Sequence, residues 1–152
     1  MSRTVFISRR ADRLPDGFRE IPDEPVQSQD YPLKDITERI IGCAIRVHRE
    51  LHAGFLEDVY EKAMLHELAK AGLATDCQRA FPVMYDGVRV GEHRADLVVE
   101  RSVAVELKAV RELTDQHACQ LMSTMKAAGT KVGLLINFNV AQLVRGVRRF
   151  VM

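Results

Sequence analysis

From Asp35 onward the apolar residues recur with two different periods, and the change of period divides the chain into elements. Ile36, Ile40, Ala44, Val47 and Leu51 fall at helical spacing and predict an amphipathic helix that stops near Ala53-Gly54. A second helix is predicted from about residue 56 to 71, with Val59, Ala63, Met64 and Leu68 as its apolar stripe. Gly72 follows at the position of a left-handed C-terminal cap. The pattern then turns to β-structure. Residues 81–85 lead into Asp86-Gly87, a hairpin signature, and Val88 opens a return strand that runs through residues 94–99. A polar break, Glu100-Arg101-Ser102, precedes a third strand over residues 103–110. A helix over residues 114–128 follows, with Thr114 as N-cap and Gly129 just past its end. Residues 132–138 form a continuous apolar run suited to a central strand covered on both faces. For residues 142–151, Gly146 favours a strand or an irregular segment over a helix.

Residues 1–33 stand apart. Pro15, Pro22, Pro25 and Pro32, four of the five prolines, fall there among mixed charges. That composition predicts an extended or mobile arm, with a short strand at residues 5–8 as its regular piece. The folded domain is therefore expected over residues 34–152. A chain of 152 residues supports one well-buried core, and 47% hydrophobic with 28% charged residues suits a soluble globular protein. A net charge of +1 creates no global field for a polyanion, which leaves local patches to do so. Arg3, Arg9 and Arg10 precede no apolar signal core, and no apolar run approaches the roughly 20 residues that span a bilayer. A membrane partner is thus excluded and a cytoplasmic location expected. Cys43, Cys77 and Cys119 form no C-x-x-C pair, so zinc-knuckle and dithiol chemistry are not supported. They are expected as buried, reduced thiols.

The candidate chemistry lies on the second and third strands. Glu106 and Lys108 are two apart and leave the same face of a strand. If residues 100–102 are a three-residue loop, Val99 opposes Val103, Asp96 opposes Glu106 and Arg94 opposes Lys108. A two-residue loop would turn Asp96 to the other face. Two adjoining carboxylates repel unless a cation or a proton sits between them. Oxygen ligands of this kind suit Mg²⁺ or Mn²⁺, and a nearby lysine can orient water and offset phosphate charge. The competing reading is a solvated sheet face with cross-strand ion pairs. Against it, Val103, Val105 and Leu107 fill the alternate face, and the helix and apolar strand that follow imply cover on both sides.

Asp96, followed after a spacer by Glu106-Leu107-Lys108, resembles the D-x(n)-(D/E)-x-K signature of the PD-(D/E)XK nuclease superfamily. Gly54-Phe55-Leu56-Glu57-Asp58-Val59-Tyr60 resembles the motif that names the small bacterial GxxExxY proteins, grouped with that superfamily. The likeness extends over about residues 36–151 through Gly87-Val88-Arg89-Val90-Gly91, Val105–Ala109, His117-x-x-Gln120-Leu121 and the run from Gly133 to Phe138. It implies an α/β, restriction-endonuclease-like αβββαβ core with an extra N-terminal helix, and a mixed central sheet flanked by helices. It also implies a divalent-metal-dependent nuclease acting on DNA or RNA, as a homodimer if both strands are cut. Asp96 and Glu106 would be metal ligands and Lys108 the catalytic lysine, with the Leu107 carbonyl as a further ligand. Glu57 would be a helix carboxylate aimed at the metal, or else an exposed partner of Lys62. Gln120, His117, Tyr60 and Arg94 would contact substrate. For His117 the alternative is a surface histidine, and for Tyr60 ordinary packing. The family's Q-x-x-x-Y pattern would put a tyrosine at position 124, where this chain has Thr124. Arg145, Arg148 and Arg149 either track a phosphate backbone or form a solvated edge, the second being favoured. A non-catalytic module on the same fold, binding nucleic acid or protein, is the alternative to the enzyme.

Overall fold

Local spacing sets the helices, and burial selects which of their faces turns inward. In the computed structural model, which describes residues 14–21 and 31–152, α1 spans Lys34–Leu51 and α2 spans Glu57–Lys70. The inward face of α1 carries Ile40, Ile41, Cys43, Ala44 and Val47. On α2 the fully buried positions are Tyr60, Met64 and Leu68, while Val59 and Ala63 are half-buried. The stripe is thus rotated toward Tyr60. The last helix, α3, is Asp115–Ala128; Thr114 caps its start and Gly129, at φ +70°, ends it.

Six strands form one mixed sheet. They are β1 (Arg19–Ile21), β2 (Thr75–Tyr85), β3 (Val88–Val99), β4 (Val103–Lys108), β5 (Val132–Asn137) and β6 (Val147–Val151), in the spatial order β1-β6-β5-β4-β3-β2. Among the described residues only β4 and β5 run parallel, joined across the sheet by α3. Asp86 and Gly87 both have positive φ, as a two-residue hairpin turn between right-twisted strands requires. Around this turn, residues 82–92 project with every side chain exposed. The Glu100–Ser102 turn sets Val99 opposite Val103 and Leu97 opposite Val105, the register expected of a three-residue loop. β2 begins at Thr75 rather than near residue 81. Asp76, Gln78 and Arg79 give no apolar alternation, and it is pairing with β3 that makes this segment a strand.

Helices cover both faces of the sheet. α1 and α2 pack on Leu97, Val99, Val103, Val105, Leu107, Leu134 and Ile136. On the opposite face α3 packs Ala118, Leu121, Met122 and Met125 against Ala104, Leu135 and Phe150. The segment expected as an arm contributes to this body. β1 extends the sheet beside β6, Phe18 is buried in the α3 layer, and Glu20 receives two hydrogen bonds from Arg148 at 2.7 and 2.9 Å. The strand expected at residues 5–8 lies outside the described residues. Of the cysteines only Cys43 is buried; Cys77, on the edge strand β2, and Cys119, on α3, are exposed. Among the described residues no helix is long and apolar enough to cross a membrane.

A short 3-10 turn, Leu143–Gly146, precedes β6. Its glycine lies so close to the end of β5 that a Cβ there would stand 2.3 Å from the Asn137 carbonyl oxygen. Backbone cannot yield as a flexible side chain does. Gly146→Ala is therefore expected to destabilise the fold by about 1–3 kcal/mol, read as a lower urea midpoint.

Candidate active site

The β3–β4 ladder stops at Leu97 and Val105, and the next residues are Asp96 and Glu106. Leu97 and Val105 face the α1–α2 layer, so alternation turns Asp96 and Glu106 toward α3. Where the ladder ends, a side chain takes over its hydrogen bonding: Oδ2 of Asp96 accepts from the Leu107 backbone amide at 3.0 Å. Oδ1 of Asp96 accepts from the Gln78 side-chain amide at 3.2 Å. With both oxygens engaged, the carboxylate has a fixed orientation beside Glu106.

Glu106 is 5% exposed. Its Oε1 accepts from the Thr124 hydroxyl at 2.6 Å. That hydroxyl has a second, longer acceptor, the Gln120 carbonyl at 3.1 Å, and lies 2.7 Å from Nε2 of His93. A hydroxyl has one proton. With that proton on Glu106, the ring N–H of His93 is the donor to Thr124. Burial pushes the Glu106 carboxyl up to about 8, and the adjoining Asp96 adds to this; Thr124 and Lys108 pull the other way. Burial next to a second carboxyl thus favours the protonated form of Glu106 at neutral pH.

A second acidic group arrives on α2. Gly54, at φ +117°, makes the turn before this helix. Tyr60 fixes that turn: its hydroxyl donates to the His52 carbonyl at 2.5 Å and accepts from the Phe55 amide at 3.2 Å, while its ring stacks on Phe138 at 4.5 Å. The first turn of α2 is thereby held near the end of β4, where Lys108 and the Ala109 amide both act to lower the Glu57 carboxyl. Partial burial raises the Glu57 carboxyl, Lys108 opposes this, and Asp96 and Glu61 add to it. Glu61, one turn further along α2, accepts from Gln78 at 2.6 Å.

The residues singled out from the sequence separate into groups. Asp96, Glu106, Lys108 and Glu57 converge within electrostatic reach of one another. Leu107 enters through its amide. Tyr60 is wholly buried and serves packing and the Gly54 turn, not a site carboxylate. Nδ1 of His117 accepts from the Thr114 amide in a capping box, so one ring nitrogen is spent on α3. Burial lowers its pKa and the neighbouring Lys108 lowers it further, which puts the ring beside the lysine. Gln120 is exposed one turn before Thr124. Arg94 is exposed at the rim and donates to the Gln78 carbonyl at 2.9 Å.

Gln78, Glu61, Thr124 and His93 were not legible as members of this cluster. Glu61 had a signal, its i, i+4 relation to Glu57 on one helix face. Gln78 had none. It sits between the Cys77–Leu97 and Arg79–Ala95 pairs with φ +52°, a left-handed conformation inside a strand. Such a backbone costs on the order of 1–3 kcal/mol and persists only where its surroundings enforce it.

Residues 34–150, more than three-quarters of the chain, match the PD-(D/E)XK nuclease superfamily. The chain belongs to the PD-(D/E)XK nuclease superfamily. Its six-stranded mixed sheet flanked by helices is the restriction-endonuclease-like form of that superfamily. No curated protein and no solved structure matches the chain significantly. PD-(D/E)XK nucleases usually use divalent metals. Among the described residues, no three His, Cys, Asp or Glu side chains are grouped so as to hold an ion by themselves. The converging donors are two carboxylates, the number a hard cation needs when water and phosphate complete its shell. Glu106 is buried beside Asp96, and a cation between them would favour its charged form, so this pair fits such an ion.

The raised carboxyl has a sign. A carboxyl whose folded pKa is elevated stabilises fully below its ordinary value of 4.5 and loses that contribution as pH rises through about 8. In metal-free buffer the melting temperature of the native chain is expected to fall across this window. Glu106→Gln should flatten that part of the decline; parallel melting curves for the two proteins across the window would disprove the assignment.

Proposed function

We propose that this protein is a divalent-metal-dependent nuclease that hydrolyses phosphodiester bonds of DNA or RNA, with Mg²⁺ or Mn²⁺ as its ion. The observation that carries the reading is the buried Glu106 next to Asp96, with Lys108 at the next position on the same strand face. The Gly54–Tyr60 segment, which resembles the GxxExxY motif, supports it by bringing Glu57 to the same place.

In this reading Asp96 and Glu106 would hold the ion, with the Leu107 carbonyl and Glu57 in support. When bound, the ion lowers the pKa of a coordinated water and offsets charge on the phosphate. Glu106 must give up its proton first, and that proton passes to solvent. Lys108 orients the attacking water and stabilises the charge that develops on the phosphate oxygens. Gln78 keeps Asp96 aimed, and Thr124, backed by His93, does the same for Glu106. His117, Gln120 and Arg94 would contact the sugar-phosphate chain in this reading. No covalent intermediate is required. A non-catalytic nucleic-acid- or protein-binding module is the second reading; the absence of a preformed three-ligand group among the described residues favours it.

Glu106→Ala and Lys108→Ala are each expected to abolish metal-dependent cleavage of labelled DNA and RNA while melting close to the native chain. Native-like cleavage by both would refute the roles assigned here. Millimolar Mn²⁺ is expected to raise the melting temperature of the native chain, since it binds the folded state alone. For Gln78→Gly the backbone strain is relieved and the amide lost. Stability should hold or rise, whereas Mn²⁺ affinity from thermal-shift titration should drop about 10- to 100-fold, as for other groups that orient a ligand.

A further inference from the structure

We propose that a cavity beside Lys108, bounded by Arg111, Arg145 and Arg148, is a second phosphate subsite that holds a backbone phosphate next to the one cut. This inference rests on the nuclease reading for the identity of the ligand, and on separate residues for its chemistry.

The cavity, of about 330 Å³, is lined by these three arginines together with Glu20, Glu112 and Asn137. Its position follows from strand register. Lys108 is paired with Asn137 on β5, and Arg148 with Leu135. Leu135 and Ala104 lie in the α3 layer, so alternation puts Lys108, Asn137 and Arg148 on that same face. The cavity therefore opens at the carboxyl ends of the parallel strands β4 and β5, where ligands of open α/β sheets bind. Neighbouring strands are about 4.8 Å apart, and duplex DNA carries one charge per strand about every 3.4 Å of its axis. A strand whose scissile phosphate meets Lys108 would bring one of its next phosphates to this cavity.

Charge and hydrogen bonding agree with an anionic occupant. Three arginines stand against two glutamates in the lining, and Asp115 of α3 adds a further negative charge near Arg148. Glu20 is taken up by Nε and Nη2 of Arg148. Among the described residues neither Arg111 nor Arg145 has an ion-pair partner. The decisive atom is Nη1 of Arg148. This residue is 9% exposed, and its Nη1 is buried with no acceptor among the described residues. A buried guanidinium donor without a protein partner is rare, and a bound ion or water is what usually satisfies it. The guanidinium is held rigidly by Glu20 and stacked over Phe150 at 5.2 Å, so its free edge is presented in one orientation. Phosphate oxygens suit such an edge. The sequence offered Arg145, Arg148 and Arg149 as one basic set. The fold divides that set and recruits Arg111, from the loop after β4, to complete a site.

The test uses the full chain, with Arg111→Ala, Arg145→Ala and the double variant. Arg148 is spared because its removal would uncover Glu20. Fluorescence anisotropy in EDTA follows binding of labelled single-stranded DNA and RNA of about 12 nucleotides, within the range of common site sizes, over a salt series. Inorganic phosphate is titrated separately by thermal shift. Each single variant should weaken oligonucleotide binding several-fold. The double variant should lower the slope of log K against log salt by about 0.7–0.9 for each phosphate that is no longer neutralised. The Mn²⁺-induced rise in melting temperature should be unchanged in all three. Unaltered affinity and salt slope in the double variant would overturn the proposal and leave water as the occupant. Arginine-dependent stabilisation by inorganic phosphate, with oligonucleotide affinity unaffected, would also overturn it, in favour of a free-anion site. Should the native chain neither cleave nor respond to Mn²⁺ while the arginine dependence of oligonucleotide binding persists, the nuclease reading fails and the subsite stands.

Discussion

Two carboxyl groups that would separate in water are forced together where β3 and β4 cease to pair. The arrangement of the molecule is largely what this constraint requires. The tight Glu100–Ser102 turn fixes the register, so Asp96 and Glu106 cannot slip apart without sending every apolar residue of β3 to the wrong face. α3 closes over Glu106 and removes water, which raises the cost of a second negative charge. Thr124, Gln78 and the Leu107 amide then fix the oxygens in place. Burial, register and hydrogen bonding act on the same two side chains.

The Gly54–Tyr60 segment works on a different principle. Its glutamate is the group that meets the site, and its other two named positions set where that glutamate stands. Gly54 permits a turn that a side chain would strain, and Tyr60 clamps that turn with a hydroxyl shared between two backbone groups. Stacking on Phe138 ties the clamp to the residue directly after β5, so α2 is referenced to the central parallel strands. A short motif can thus hold one acidic residue presented to the carboxylate pair and two that act only by placing it.

How far the sequence could be read depended on whether the relevant interaction was local. Helix and strand periods, the Asp86-Gly87 turn and the Thr114 cap are local, and the elements form where those signals stand. The opposition of Asp96 and Glu106 was accessible because one loop length determines it. Gln78 was not, since its left-handed backbone is enforced by hydrogen bonds with Glu61 on α2 and with Asp96 and Arg94 on β3, two other parts of the chain. Thr124 stands in the sequence as a missing aromatic, while its hydrogen bond to Glu106 depends on how α3 lies across the sheet. Tyr60 was ambiguous by residue type alone; only burial separates a packing tyrosine from one that meets a ligand. The strand at residues 19–21 was hidden by the prolines around it, because pairing with β6 and the Glu20–Arg148 ion pair are interactions between opposite ends of the chain.

That pairing of the two ends bears on where the folding unit begins. The superfamily match starts at residue 34, yet the sheet is completed by residues before it. A chain begun at the match would leave β6 as a bare rim with unpaired backbone groups, and would take from the buried Arg148 guanidinium the carboxylate that holds it. Homology and mechanical integrity therefore place the amino-terminal border of this protein at two different residues.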